Sequence, residues 1–461
     1  MTTHPSGAWT AAGSRAARRL TRAVAPVVRP VLGPVLRPVV GRMVGRGLRS
    51  RITATGIDLS NIPFLPEAAR VPLQRDGTDP VPALARLRAE DPMHVLDLPF
   101  DFKVHLVTGY AAARVVLGDP TSYSNDIRHL FGAGGADGGA SAEDIGGLGF
   151  TDPPLHTRLR KILTPEFTMR RLQRLQPRIE EIVEDRLGAF AAAGRPADLV
   201  REVAVPVPFS TICELLGLEY ADRDAVARLS SQRFDASGGG ASAFGAVSRQ
   251  RELLLDAVTR QRTEPGAGLI GQIIRDQGDA ITDHDLAGLA DGVFTGGHET
   301  TAGMIALSTL VLLRDPEAAA AVRDGTPADV DRVVEELLRY LSVVQVSFPR
   351  FARQDMTVLG HRVRAGEVVI ASLSGADRDP AWAGADPERF DPLRVPPSGH
   401  LAFGHGAHRC IGAELARMEL RTVLPALLRR FPDLALAVPE ERLRFRQLSF
   451  VYGIEELCLT W

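Results

Sequence analysis

The stretch FGHGAHRCIG, residues 403–412, sets one cysteine among glycines and histidines just ahead of a helical pattern, AELARMELRTVLPALLRRF. The two other cysteines differ from it. Cys213 in FSTICELLGL and Cys458 in EELCLTW lie in apolar runs, where cysteine behaves as a small hydrophobe. No apolar periodicity accounts for Cys410. Three scattered cysteines are also too few for a disulfide framework and fit a reduced, cytoplasmic setting.

Around this loop lies a chain of 461 residues with 45% hydrophobic and 24% charged content, which describes a soluble globular protein with an extensive core and excludes disorder throughout. No long linker and no internal repeat divides it, so residues 53–461 are read as one domain. A formal charge of -2 gives no global field toward nucleic acid, and nucleic acid is not expected as a partner. Residues 1–52 differ in composition, with ten arginines from Arg15 to Arg51 and no acid before Asp58. Pro26, Pro30, Pro34 and Pro38 break any helix there, and Arg29 and Arg37 interrupt its apolar runs, so neither a membrane span nor a secretory signal is expected. This tail reads as poorly ordered, with contact to an anionic membrane surface or an acidic partner as the alternative.

The rest is mainly helical by pattern, with a small β region. PVPALARLRAED and TGYAAARVVLGD read as short helices, and HVLDLPFDFKVHLVT as a strand pair. LQRLQPRIEEIVEDRLGAFAAAG reads as a helix stopping at Gly194. Residues 347–373 read as strands with turns near Gly360 and Gly366. Glycine-rich breaks at 131–149 and 236–245 suit either lids or solvated insertions.

One long helix, expected over 282–313, is apolar almost all round, as a helix through the centre of a large protein must be. Gly296, Gly297, His298, Glu299, Thr300 and Thr301 break that rule. Two interior glycines imply close approach by something flat, a local opening of the hydrogen-bond ladder, or a simple kink. An acid beside a hydroxyl in such a helix suits proton delivery. Farther on, Glu336 and Arg339 share a helix face, which by itself is an ordinary surface ion pair.

In this order the motifs resemble the cytochrome P-450 superfamily, whose heme-binding loop reads Phe-Gly-x-Gly-x-x-x-Cys-x-Gly. Phe403, Gly404, Gly406, Cys410 and Gly412 fill every required position. GGHETT is similar to the family's oxygen-activating segment, and Glu336 with Arg339 to its Glu-x-x-Arg pair, for which Arg389 in DPERFDP is the candidate third member. The resemblance implies that His156, Arg160, Arg350 and His408 hold the propionates of heme b, and that Cys410 ligates its iron. A thiolate is the electron-rich ligand that favours O–O cleavage. The glycines would let the loop pass beneath a flat macrocycle, and the helix after Cys410 would lower the thiol pKa. Zinc held by His405, His408 and Cys410 is the competing reading of the loop; it needs a fourth ligand that nothing nearby supplies.

The implied function is a heme-thiolate monooxygenase in which Glu299 relays protons and Thr300 presents its hydroxyl to dioxygen. Electrons would come from a ferredoxin and its reductase, docking on a positive face that includes Arg409 and Arg417. A peroxide-driven peroxygenase and a non-catalytic heme-binding protein are the alternatives. Analogy with the family places Phe131, Phe294, Val344, Phe348, Phe450 and Val451 at the edges of a pocket for a sizeable apolar substrate, and the Ala/Arg-rich composition associates the chain with secondary metabolism.

Overall fold

The computed structural model describes residues 67–98, 102–126, 148–219 and 249–461. The basic tail, Phe131 and nearly all of the two glycine-rich breaks lie outside the described residues.

The central helix runs Asp283–Arg314, one residue displaced at each end from the sequence reading. The Thr282 hydroxyl accepts the Asp285 amide at 3.0 Å, with Asp283 and Asp285 in the first turn and Arg314 in the last, each charge opposing the helix dipole. Every residue from Thr301 to Leu312 is buried, because helices Pro206–Leu216, Arg249–Thr263 and Ala413–Arg430 pack around it. Burial on all sides removes any need for a polar face, which is why its sequence lacks one. The helix expected over 172–194 starts later, at Gln176, since Pro177 is tolerated only in a first turn, and Gly194 beyond its end takes φ +89°.

The expected strand pair forms as Met93–Leu98 antiparallel to Phe102–Val107, with Met93 opposite Val107 and Leu98 opposite Phe102. Strand Val368–Ala371 joins it in parallel, and Arg350–Ala352 and Tyr123–Ser124 complete a five-stranded sheet. Gly360 and Gly366 occupy positive φ at the turns the sequence marked. The architecture is mainly helical with small sheets at its margin, and the largest core cluster lies among the helices. Among the described residues no helix is long and apolar enough to cross a membrane.

Candidate active site

Residues 401–412 fold back on themselves. The Cys410 amide donates to the Phe403 carbonyl at 2.8 Å and the Gly404 amide to the Leu401 carbonyl at 2.7 Å. Gly404 and Gly406 take φ +69° and +74°, and a Cβ on Gly406 would sit 2.4 Å from the Leu117 carbonyl oxygen, so only glycine fits there. Gly412, at φ -83°, opens the helix Ala413–Arg430, and its amide hydrogen-bonds to the Cys410 sulfur. Cys410 is exposed by surface area, while desolvation by the neighbouring protein pushes its thiol pKa up. The Gly412 amide and then Arg160, Arg409 and Arg417 act against burial without overcoming it. The net direction is opposite to that expected from the helix terminus. Metal coordination removes a thiol proton outright, so these positive groups serve to stabilise the thiolate once it forms.

Above the loop, helix Leu155–Leu163 and strand Arg350–Ala352 bring together His156, Arg160, Arg350 and His408. The His156 and His408 rings lie 4.1 Å apart. Burial, then mutual repulsion with His156 and Arg350, pushes the His408 pKa down to about 3. Arg160 donates to the Arg409 carbonyl at 2.7 Å. His156 and Arg350 are each 3% exposed, yet His156 Nε2 and Arg350 Nε lack hydrogen-bond partners among the described residues. The nearby acid Asp152 is bound to the Asn125 amide and Arg353. Buried donors converging without acceptors fit a ligand that carries carboxylates, as heme does.

On the central helix the hydrogen-bond ladder stays closed. The Thr300 hydroxyl donates to the Gly296 carbonyl at 2.7 Å, leaving its oxygen able to accept. A Cβ on Gly297 would lie 2.6 Å from Ile212 Cδ1, whereas one on Gly296 would meet nothing within 4 Å. Close approach by a neighbouring helix explains the first glycine, and open space lies beside the second. Glu299 accepts from Arg446 at 2.9 Å.

The cytochrome P450 family profile matches residues 330–450. Cytochrome P450 165B3 of Amycolatopsis orientalis is 41% identical over 84% of this chain and 98% of its own length. The chain belongs to the cytochrome P450 family. Cytochrome P450 monooxygenase PikC of Streptomyces venezuelae is 39% identical over 84% of this chain and 92% of its own. Among solved structures, OxyC, a cytochrome P450 implicated in an oxidative C–C coupling reaction during vancomycin biosynthesis, is similar with a TM-score of 0.75 at 36% identity, covering 86% of this chain and 97% of OxyC. As a cytochrome P450, the protein is an oxidoreductase, a monooxygenase with heme b as its cofactor. Bacterial P450s generally take electrons from ferredoxin and reductase partners.

This P450's Glu336–Arg339 pair is buried, 6% and 2% exposed, rather than the surface pair its spacing alone implied. Both guanidinium contacts to the carboxylate are 2.7 Å, and Arg339 also donates to the carbonyls of Asp377, Pro387 and Arg389. Arg389 is not the third member. Its side chain is exposed and it contributes only its carbonyl. Arg394 takes that place, with Nε 3.5 Å from Glu336 Oε1 and its remaining donors on the carbonyls of Ala383, Ala385, Asp386 and Arg389. Arg417 is likewise misplaced on a docking face. Its side chain is 11% exposed, held by Glu335 at 2.5 and 2.9 Å and by Glu414 at 2.8 Å. Burial acts to raise the Glu335 pKa, but His400 and Arg417 hold it at about 2. Arg409 is exposed.

Three of the proposed pocket residues, Val344, Phe450 and Val451, come together in this P450, while Phe348 is half exposed. Val344 bridges to Val451, the Gln345 amide donates to the Phe450 carbonyl, and Phe348 packs edge-on against Phe150. Phe294 does not join them; its ring is 2% exposed, packed against Phe209 and His298 in the helical core. His408 stacks on His156 while His405 lies near Gly118, and among the described residues no three metal-ligating groups gather, so the zinc reading fails. Sequence reasoning missed Arg394, Arg446 and Glu335. Arg394 stands five residues beyond Arg389 in the same loop, DPERFDPLR, where the sequence offered both arginines without distinguishing them.

Proposed function

We propose that this P450 hydroxylates a sizeable apolar molecule in secondary metabolism, using dioxygen and two electrons from a ferredoxin and its reductase. One substrate C–H bond becomes C–OH, and the second oxygen atom leaves as water with two protons. Heme b, when bound, supplies the redox centre that activates dioxygen. His156, Arg160, Arg350 and His408 would hold its carboxylates, and Cys410 its iron.

The observation that carries this reading is the adjacency of Glu299 and Thr300. The Thr300 hydroxyl is oriented by the Gly296 carbonyl, so its oxygen can accept a hydrogen bond on the open side of the helix. Glu299 is partly exposed and held by Arg446, which suits a carboxylate that exchanges protons with solvent and passes them inward. The apolar side chains of Val344, Phe450 and Val451 favour an apolar substrate. A peroxygenase would have no use for this acid–hydroxyl pair.

The test is turnover with NADPH, a surrogate ferredoxin and reductase, and isotopically labelled dioxygen, beside turnover with hydrogen peroxide alone. One labelled oxygen per product, formed only with the electron donors, is the expected result. Equal turnover with peroxide alone would overturn it. The likeness to OxyC favours one second reading, oxidative C–C coupling, in which two C–H bonds give one C–C bond and both oxygen atoms leave as water. A coupled product free of label would establish that alternative.

A further inference from the structure

Arg417 touches three parts of the proximal side at once. Its guanidinium carbon lies 4.7 Å from the centre of the Phe403 ring, and its donors are divided between Glu335 and Glu414. The helix Pro327–Leu341 thus carries adjacent carboxylates with separate tasks, Glu336 fixing Arg339 and Glu335 fixing Arg417. His400 closes the far side, 3.3 Å from Glu335, with its ring 5.7 Å from that of Phe403. The stacked ring is coupled to the cysteine, because the Phe403 carbonyl accepts the Cys410 amide.

We propose that Glu335 and Arg417 form a clamp that holds both a positive charge and the Phe403 ring against the Cys410 loop, and thereby sets how readily the bound heme accepts an electron. The inference rests on Cys410 being the iron ligand. Arg417 is a positioning residue in this scheme. A planar guanidinium can grip a carboxylate with two donors while stacking on an aromatic face, which a lysine cannot do. Because Arg417 is almost fully covered, solvent screens its charge less than that of the exposed Arg409. A fixed cation beside the loop tempers electron donation by the thiolate and favours the reduced iron.

The experiment compares R417Q, R417K and R409Q with the wild-type holoenzyme in three measurements: heme reduction potential, the reduced carbon-monoxide spectrum, and the salt dependence of ferredoxin-supported reduction. R417Q should raise the ferric-to-ferrous ratio at fixed potential about tenfold, which is ~59 mV for one electron. R417K, keeping charge without the paired grip, should fall between, at about threefold, ~30 mV. R409Q should leave the potential near wild type and weaken the salt dependence of reduction. A thiolate-type spectrum with unchanged potential in R417Q overturns the clamp while leaving the heme-thiolate assignment intact. If R417Q fails to retain heme, a wild-type potential in R417K overturns it equally. Absence of the thiolate spectrum from the wild type would instead strike the assignment itself.

Discussion

Replacing Glu419 with glutamine should make the protein more stable, increasingly so as pH rises. Glu419 lies on the helix Ala413–Arg430 and is 1% exposed, facing the fully buried Thr211 of helix Pro206–Leu216. Neither Glu419 Oε2 nor Thr211 Oγ1 has a hydrogen-bond partner among the described residues. Burial pushes the carboxyl pKa from 4.5 up to about 8. Between those values the folded chain keeps a proton that the unfolded chain has lost, so wild-type stability falls as pH rises; above about 8 the loss is complete. The full displacement corresponds to at most ~5 kcal/mol, at about 1.36 kcal/mol per pH unit. Glutamine does not titrate. The stability difference between E419Q and wild type should therefore grow from ~1 kcal/mol near pH ~5 to ~3 near pH ~7 and ~5 near pH ~9. Urea unfolding midpoints of the two holoproteins at these pH values measure it, and any constant cost of burying the amide drops out of the slope. A difference that stays flat with pH would refute the reasoning, since Glu419 would then titrate alike in both states.

Three further outcomes test the site and the fold. C410S should abolish both the thiolate-type reduced carbon-monoxide spectrum and turnover, because an oxygen ligand lacks the electron donation of sulfur; a wild-type spectrum would remove Cys410 from the iron. R394Q should destabilise by about 2–3 kcal/mol, as the buried guanidinium's bonds to the carbonyls of Ala383, Ala385, Asp386 and Arg389 are lost while Glu336 keeps Arg339, whereas R389Q should stay within about 0.5 kcal/mol, both read from urea midpoints. T300A should keep the fold, as alanine favours helix, while product formed per NADPH drops roughly tenfold or more and hydrogen peroxide appears in its place. Unchanged product yield in T300A would assign the hydroxyl's role elsewhere.

These outcomes divide along the line between what the sequence made legible and what it did not. The cysteine loop was legible because its chemistry is contiguous: Phe403, Gly404, Gly406, Cys410 and Gly412 span ten residues, and Gly406 must be glycine for reasons of local backbone and one close contact. The central helix was legible to within a residue because its cap and the buried run from Thr301 to Leu312 are written in order along it. Glu336 and Arg339 were legible as a pair through their spacing, but their burial was not, since the carbonyls of Asp377, Pro387 and Arg389 that surround Arg339 arrive from a distant loop. The direction of the Cys410 pKa escaped for a related reason. Nearby cations can be counted in a sequence, whereas the desolvation that outweighs them cannot.

The arginines make the limit concrete. Arg389 and Arg394 stand in one loop, DPERFDPLR, and nothing in the local pattern decides which guanidinium turns inward; the choice follows from the carbonyls of Ala383, Ala385, Asp386 and Arg389, to which Arg394 donates. Arg409 and Arg417 flank the same cysteine, and Arg417 leaves the surface because Glu335, 82 residues earlier, meets it. Arg446 binds Glu299 across 147 residues. A guanidinium cannot lose its charge, so its place is fixed by whichever acceptors the fold brings to it. In a chain with 54 basic residues, residue type therefore marks which side chains are able to tune or anchor the heme site, and long-range packing selects the few that do. That selection also separates the two kinds of cation at the proximal face. In the proposed scheme Arg417, held by its carboxylate partners, would tune the heme from within, and the exposed Arg409 would meet an incoming electron donor.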